Sequence, residues 1–186
     1  MNKLRKLLIF ALFVAYALGI LAGAIREIKV PDAADMYEYL EKGIEGYDTA
    51  AVNGIRSAGA DNLKIFALIA GGSLFKPLVW LIVLAMLLKG YLTGFSLMAA
   101  MRLYGIKGIL LCVPNLISAA VLIPSAIYYG GINMSGQLGQ REKREFYKRF
   151  VLATIFFAAI FCADAILKGA LSPIFVKWAS KLIKAA

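Results

Sequence analysis

Asp164 is the single acid in an apolar run from Phe150 to Ala170, and Lys168 follows it by four residues. On a helix that spacing puts both side chains on one face, in the order that favours an ion pair. An ionisable group inside a membrane span is by default a functional-site candidate. A partner one turn away, toward a membrane end, makes a structural snorkelling pair an equal reading. Ser73-Leu74-Phe75-Lys76 matches the S-x-x-K of penicillin-binding proteins. Its SDN and KTG companions are missing, and so short a match arises by chance. The chain has no histidine, the commonest acid–base group and metal ligand. Cys112 and Cys162 lie in apolar segments without a CxxC spacing and read as free thiols packing as small hydrophobes. No GxxxxGK[ST] loop is present, and carboxylates on one short helix do not build the cleft that glycosidase chemistry needs. Neither catalysis, a cofactor, a metal nor a small-molecule substrate is expected.

The elements that carry these residues are membrane elements. Of 186 residues, 61% are hydrophobic and 17% charged, against about 45–50% and 25% in soluble domains; mean hydropathy is +0.76. Apolar runs approach the ~20 residues that cross a ~30 Å hydrocarbon core. The net charge of +10 comes from cations that flank apolar runs, as the positive-inside bias expects. No basic patch lies on a soluble domain, so nucleic acid is not an expected partner; membrane lipid is.

The N-terminus carries Lys3, Arg5 and Lys6 before an apolar stretch from Leu7 to Ile25. A cleavable signal peptide is the competing reading, but the stretch exceeds the roughly 7–15 residues of its apolar region. Ala11, Ala15, Gly19 and Gly23 recur every fourth residue, a ladder that lets another helix approach closely. Residues 26–62 hold eight acids against four bases. Within them, Ala33, Met36, Leu40, Ile44 and Tyr47 recur at helical spacing behind a candidate N-cap, Asp32. Asp35, Glu38, Glu41 and Glu45 form an acidic stripe on that helix, either a solvated face or a docking surface. Lys64 lies at the outer end of the next apolar run, where it can snorkel to water. Lys76-Pro77 marks a kink or a break, and residues 63–75 read either as part of a span or as a short re-entrant piece. Asn115 and Ser118 share one helix face and suit interhelical bonding. Between Gly131 and Arg149 five bases outweigh two acids close to a span, which marks a cytoplasmic loop.

An outer acidic loop and an inner basic loop require an odd number of crossings between them, and three fit the apolar chain available. The expected fold is therefore all-α: a polytopic integral membrane protein of about five transmembrane helices, N-terminus inside and C-terminus outside. The spans fall at 7–25, 65–88, 90–104 (short or re-entrant), 108–130 and 150–170 of a single membrane domain, 1–186. Lys89 then marks an inner turn, while Arg102 and Lys107 bracket an outer one. Residues 26–62 form an external segment, 131–149 a cytoplasmic loop and 172–186 an interfacial amphipathic tail.

Leu87 to Pro124 carries Lys89-Gly90, Gly94-Phe95, Gly105, Gly108, Pro114-Asn115 and Ile123-Pro124. This stretch resembles the stage II sporulation protein M family of endospore-forming bacteria, whose members show a Lys-Gly pair, a Gly-Phe pair, a glycine-containing turn and a span with Pro and Asn. Close members often place a polar residue between that proline and asparagine, where this chain has none. The resemblance implies a non-catalytic scaffold in the mother-cell membrane at the division septum. It would hold stage II sporulation proteins D and P, which remodel peptidoglycan during engulfment. Segment 26–62, with Asp35, Glu38, Glu41 and Glu45, and the small-residue face of the first span are the expected docking surfaces. A permease-like transporter subunit is the alternative, on the strength of Asp164 and the prolines within spans.

Overall fold

The computed structural model describes residues 3–28, 51–138 and 143–184. They form five helices: α1 Lys3–Ile28, α2 Ala51–Leu74, α3 Trp80–Tyr104, α4 Gly108–Leu138 and α5 Lys143–Lys184. No strand occurs among the described residues. Three stretches are long and apolar enough to cross a membrane: Lys3–Ile28, Trp80–Leu138 and Phe146–Phe175. The described residues are thus all helical, with three stretches able to cross a membrane. The second stretch is folded back on itself at Gly105, whose φ of 60° is a backbone state open to glycine without the cost a Cβ brings. The apolar part of α2, Asn62–Leu74, is shorter.

Contacts fix the relative directions. Gly19 lies against Gly90, and Gly23 against Tyr91 and Phe95, so α1 and α3 run parallel. Gly108 meets Ala100 and Gly130 meets Ile82, so α4 returns antiparallel to α3. Ser118 and Tyr129 of α4 bond Asp164 and Thr154 of α5, and Asn62 of α2 bonds Asp164. Successive helices therefore alternate in direction. The core where they converge holds Leu12, Ile69, Ile82, Met86, Leu122 and Tyr129, all fully buried. Phe66 and Phe157 flank Tyr129 with ring centroids 5.9 and 4.9 Å away. Thr154 Oγ1 spends its proton on the Phe150 carbonyl, so the Tyr129 hydroxyl donates to Thr154 at 2.7 Å.

The helix boundaries correct several sequence expectations. No turn forms at Lys89: Trp80–Tyr104 is one helix, and the reversal falls at the 3-10 turn Lys76–Leu78. Proline explains the shift. Pro77 has no N–H to give, and its ring excludes the carbonyl four residues back, that of Ser73. The Ser73 carbonyl instead accepts from Gln137 Nε2 at 2.7 Å, and the Leu74 carbonyl accepts from the same nitrogen at 3.2 Å. One side chain of α4 thereby satisfies the end of α2. Span limits of 65–88 and 90–104 give way to α2 and α3. Residues 51–62, expected in the external segment, are helical and pack on α5 through Gly59 and Asn62. Residues 131–138, expected in the cytoplasmic loop, continue α4. The tail from 172 is no separate element, since α5 runs through Pro173 to Lys184. Asp35, Glu38, Glu41 and Glu45 lie outside the described residues.

Candidate functional site: a lysine-lined cavity beside a buried carboxylate

Asp164 sits inside the apolar stretch of α5 and is 2% exposed. The Asp164–Lys168 pair is not formed among the described residues. Asp164 Oδ2 accepts instead from Ser118 Oγ at 2.7 Å and from Asn62 Nδ2 at 2.9 Å. Asn62 Nδ2 also donates to the Phe161 carbonyl at 3.2 Å. The other carboxylate oxygen, Oδ1, is buried without a hydrogen-bond partner. Three helices thus meet on one carboxylate oxygen. The spacing of 164 and 168 hid this, because a pair four residues apart presumes a lone helix, whereas the bundle offers neutral donors from α2 and α4.

Beside this junction lies a cavity of about 470 Å³. Lys64 of α2, Lys89 of α3 and Lys168 of α5 line it, together with Thr93, Asn115 and Ser118. No described acid lines it. Its remaining wall is largely aliphatic, including Leu68, Leu92 and Leu116. Two of the hydroxyls are already committed: Thr93 donates to the Lys89 carbonyl at 2.8 Å and Ser118 to Asp164. Lys64 and Lys89 are engaged in interactions of their own. The cavity is a lysine-lined chamber with an apolar flank, and its described lining holds no nucleophile–base pair. Each lysine was legible in the sequence. Their convergence was not, because Lys64 read as an outer end and Lys89 as a turn.

The small-residue ladder has a different location from the one docking would need. Ala15, Gly19 and Gly23 are buried, and Ala11 is exposed. A Cβ on Gly19 would fall on the Leu87 carbonyl oxygen, and one on Gly23 on that of Tyr91. From the other side, Gly90 abuts the Tyr16 carbonyl and Gly94 that of Ile20. This face of α1 is occupied within the chain by α3 and leaves no room for a docking partner. At its far end Arg102 Nη1 donates to the Glu27 carbonyl at 3.1 Å and lies 3.5 Å from the buried Glu27 carboxylate.

The other motif residues disperse. Phe95 follows Gly94 on α3, Gly105 and Gly108 frame the α3–α4 turn, and Pro114 and Ile123 are buried in α4 while Pro124 is exposed. Cys112 is buried with Sγ 3.8 Å from the Ser96 carbonyl, and Cys162 is exposed; both are free thiols. Fold and site together define a helical membrane protein with a lysine-lined cavity between its helices. Comparison with family models, curated proteins and solved structures finds no match.

Proposed function

We propose that the chain is a non-catalytic membrane scaffold of the sporulation engulfment machinery. It crosses five times, with its N-terminus inside and C-terminus outside, and holds peptidoglycan-remodelling stage II sporulation proteins D and P at the septum of the mother cell. The reading rests on the resemblance over Leu87 to Pro124. The alternating directions of α1 to α5 support the five crossings. So does charge: Lys3, Arg5 and Lys6 share one end of the bundle with Lys148 and Arg149, since Arg5 lies 4.7 Å over the Tyr128 ring and Phe146 packs on Gly136. Arg26, Arg102 and Lys107 stand at the opposite end, so the assignment of the first end to the cytoplasm rests on the denser cluster at 141–149. The docking surface then rests on segment 26–62 alone, as the ladder on α1 is taken. Reversing the charge of Asp35, Glu38 and Glu41 should weaken co-purification with proteins D and P; full recovery at equal expression sinks the proposal.

A permease-like transporter subunit is the second reading, favoured by the cavity beside Asp164. Expression confined to the sporulating mother cell supports the scaffold, and vegetative expression supports the permease.

A further inference from the structure

Two donors of Arg5 find no acceptor among the described residues. The guanidinium carbon lies 4.7 Å over the Tyr128 ring, and Nε and Nη2 are buried without a hydrogen-bond partner. A guanidinium cannot shed its charge to ease burial, and an unpaired buried donor is costly. The ring face offsets part of that cost but leaves both donors without an oxygen. Nε and Nη2 stand on one edge of the guanidinium, as the parallel fork that takes two oxygens of a phosphate or carboxylate at once.

The surroundings select a lipid as the source of those oxygens. Tyr128 of α4 is 46% exposed and also meets α5, with its ring 6.3 Å from that of Phe157. Helices α1 and α5 both pack on α4 but hardly on each other, so Tyr128 floors a groove between them. From Tyr128 the exposed stripe of α4 runs through Pro124 to Val121, about 10 Å at ~1.5 Å per residue. Ser125 beside it spends its hydroxyl proton on the Val121 carbonyl, which leaves an apolar path for a hydrocarbon chain. Arg5 stands two residues before the apolar run that begins at Leu7, with Lys3 and Lys6 exposed beside it. That is head-group depth, and three cations there favour net anionic head groups over choline-bearing ones. Rotation of the long Arg5 side chain across the Tyr128 face presents the fork to the groove.

We propose that Arg5 and Tyr128 bind the phosphate of an anionic phospholipid, held by Nε and Nη2, with a hydrocarbon chain along Pro124 and Val121. The inference is independent of the scaffold reading, which concerns segment 26–62. Native mass spectrometry of the full-length protein, purified from mixed phosphatidylglycerol and phosphatidylcholine vesicles, tests it. Wild type should retain phosphatidylglycerol over phosphatidylcholine. Retention should fall about fivefold in Arg5→Gln. Arg5→Lys keeps the charge but not the fork, so it should lose about twofold; it carries the test should Arg5→Gln fail to fold. Lys148→Gln removes an exposed charge from the same end of the bundle and should match wild type. Equal retention of both lipids, Arg5 variants that match wild type, or an equal fall in Lys148→Gln would overturn the proposal. Displacement of the lipid by millimolar inorganic phosphate would overturn the lipid as the source of the phosphate.

Discussion

The α1–α3 seam and the α2–α4–α5 junction close the same bundle by opposite means. At the seam, glycines bring two backbones so near that no side chain separates them, and the Glu27–Arg102 ion pair ties the far end. At the junction, larger side chains keep the helices apart, polar groups bridge the gap, and a cavity remains. In lipid the hydrophobic effect does not press helices together, so association depends on close packing and on interhelical hydrogen bonds. The seam uses the first and leaves no slack. The junction uses the second and leaves both space and an unpartnered carboxylate oxygen. A region built to hold still and a region with room for a ligand are thus separated within one small fold.

The sharpest way to break this contrast is to place a side chain in the seam. Gly94→Leu would push its Cβ into the Ile20 carbonyl, and neither backbone can give way without separating the helices. Destabilisation should exceed the ~1–3 kcal/mol of ordinary overpacking, with loss of monodisperse protein in fluorescence-detected size exclusion. Gly94→Ala should shift the same way by less. A seam that accepts leucine without a fall in its melting temperature is not packed backbone to backbone.

A smaller effect is expected at the junction. Asp164→Ala removes the acceptor of two hydrogen bonds and leaves Ser118 and Asn62 to find others. Interhelical bonds in membranes average about 0.6 kcal/mol each, so the loss should be near 1 kcal/mol, a modest fall in melting temperature. Asp164→Asn keeps an acceptor oxygen and should lose less. If Asp164→Ala costs more than Gly94→Leu, the polar junction rather than the seam holds the bundle, and the comparison reverses.

These two regions were unequally legible in the sequence. The seam was half visible, since Gly19 and Gly23 stand four apart and so do Gly90 and Gly94; small residues at helical spacing announce close approach whatever the partner. What spacing withheld was the partner itself: the ladder on α1 read both as a face for another helix and as a docking surface, and it faces α3. The all-helical membrane class followed from apolar length alone. The turn at 76–78 was also visible as Lys76-Pro77, but Lys89-Gly90 competed with it. A lysine in an apolar run looks like a boundary unless the wall it lines is known. Asp164, Asn62 and Ser118 were each noticed or bordered by a noticed element. Their meeting depends on long-range packing between residues 46 and 102 positions apart, which no local pattern encodes.

The smallest expected effect tests how locally the packing contrast is drawn. Gly71 and Gly72 are adjacent in α2, yet a Cβ on Gly71 meets nothing within 4 Å, whereas one on Gly72 comes to 2.9 Å from the Leu78 carbonyl and 3.0 Å from Ile82 Cγ1. Glycine inside a helix costs roughly 0.5–1 kcal/mol relative to alanine. Gly71→Ala should therefore raise the melting temperature slightly, because the only term it changes is the freedom of the unfolded chain. Gly72→Ala gains the same term and loses more, since the Leu78 carbonyl belongs to a turn braced by Pro77 and cannot retreat as a flexible side chain would. Opposite signs at neighbouring positions would show that the tight contact belongs to one face of α2, the face turned toward α3. Equal shifts in one direction would place helix propensity above packing at this end of the bundle.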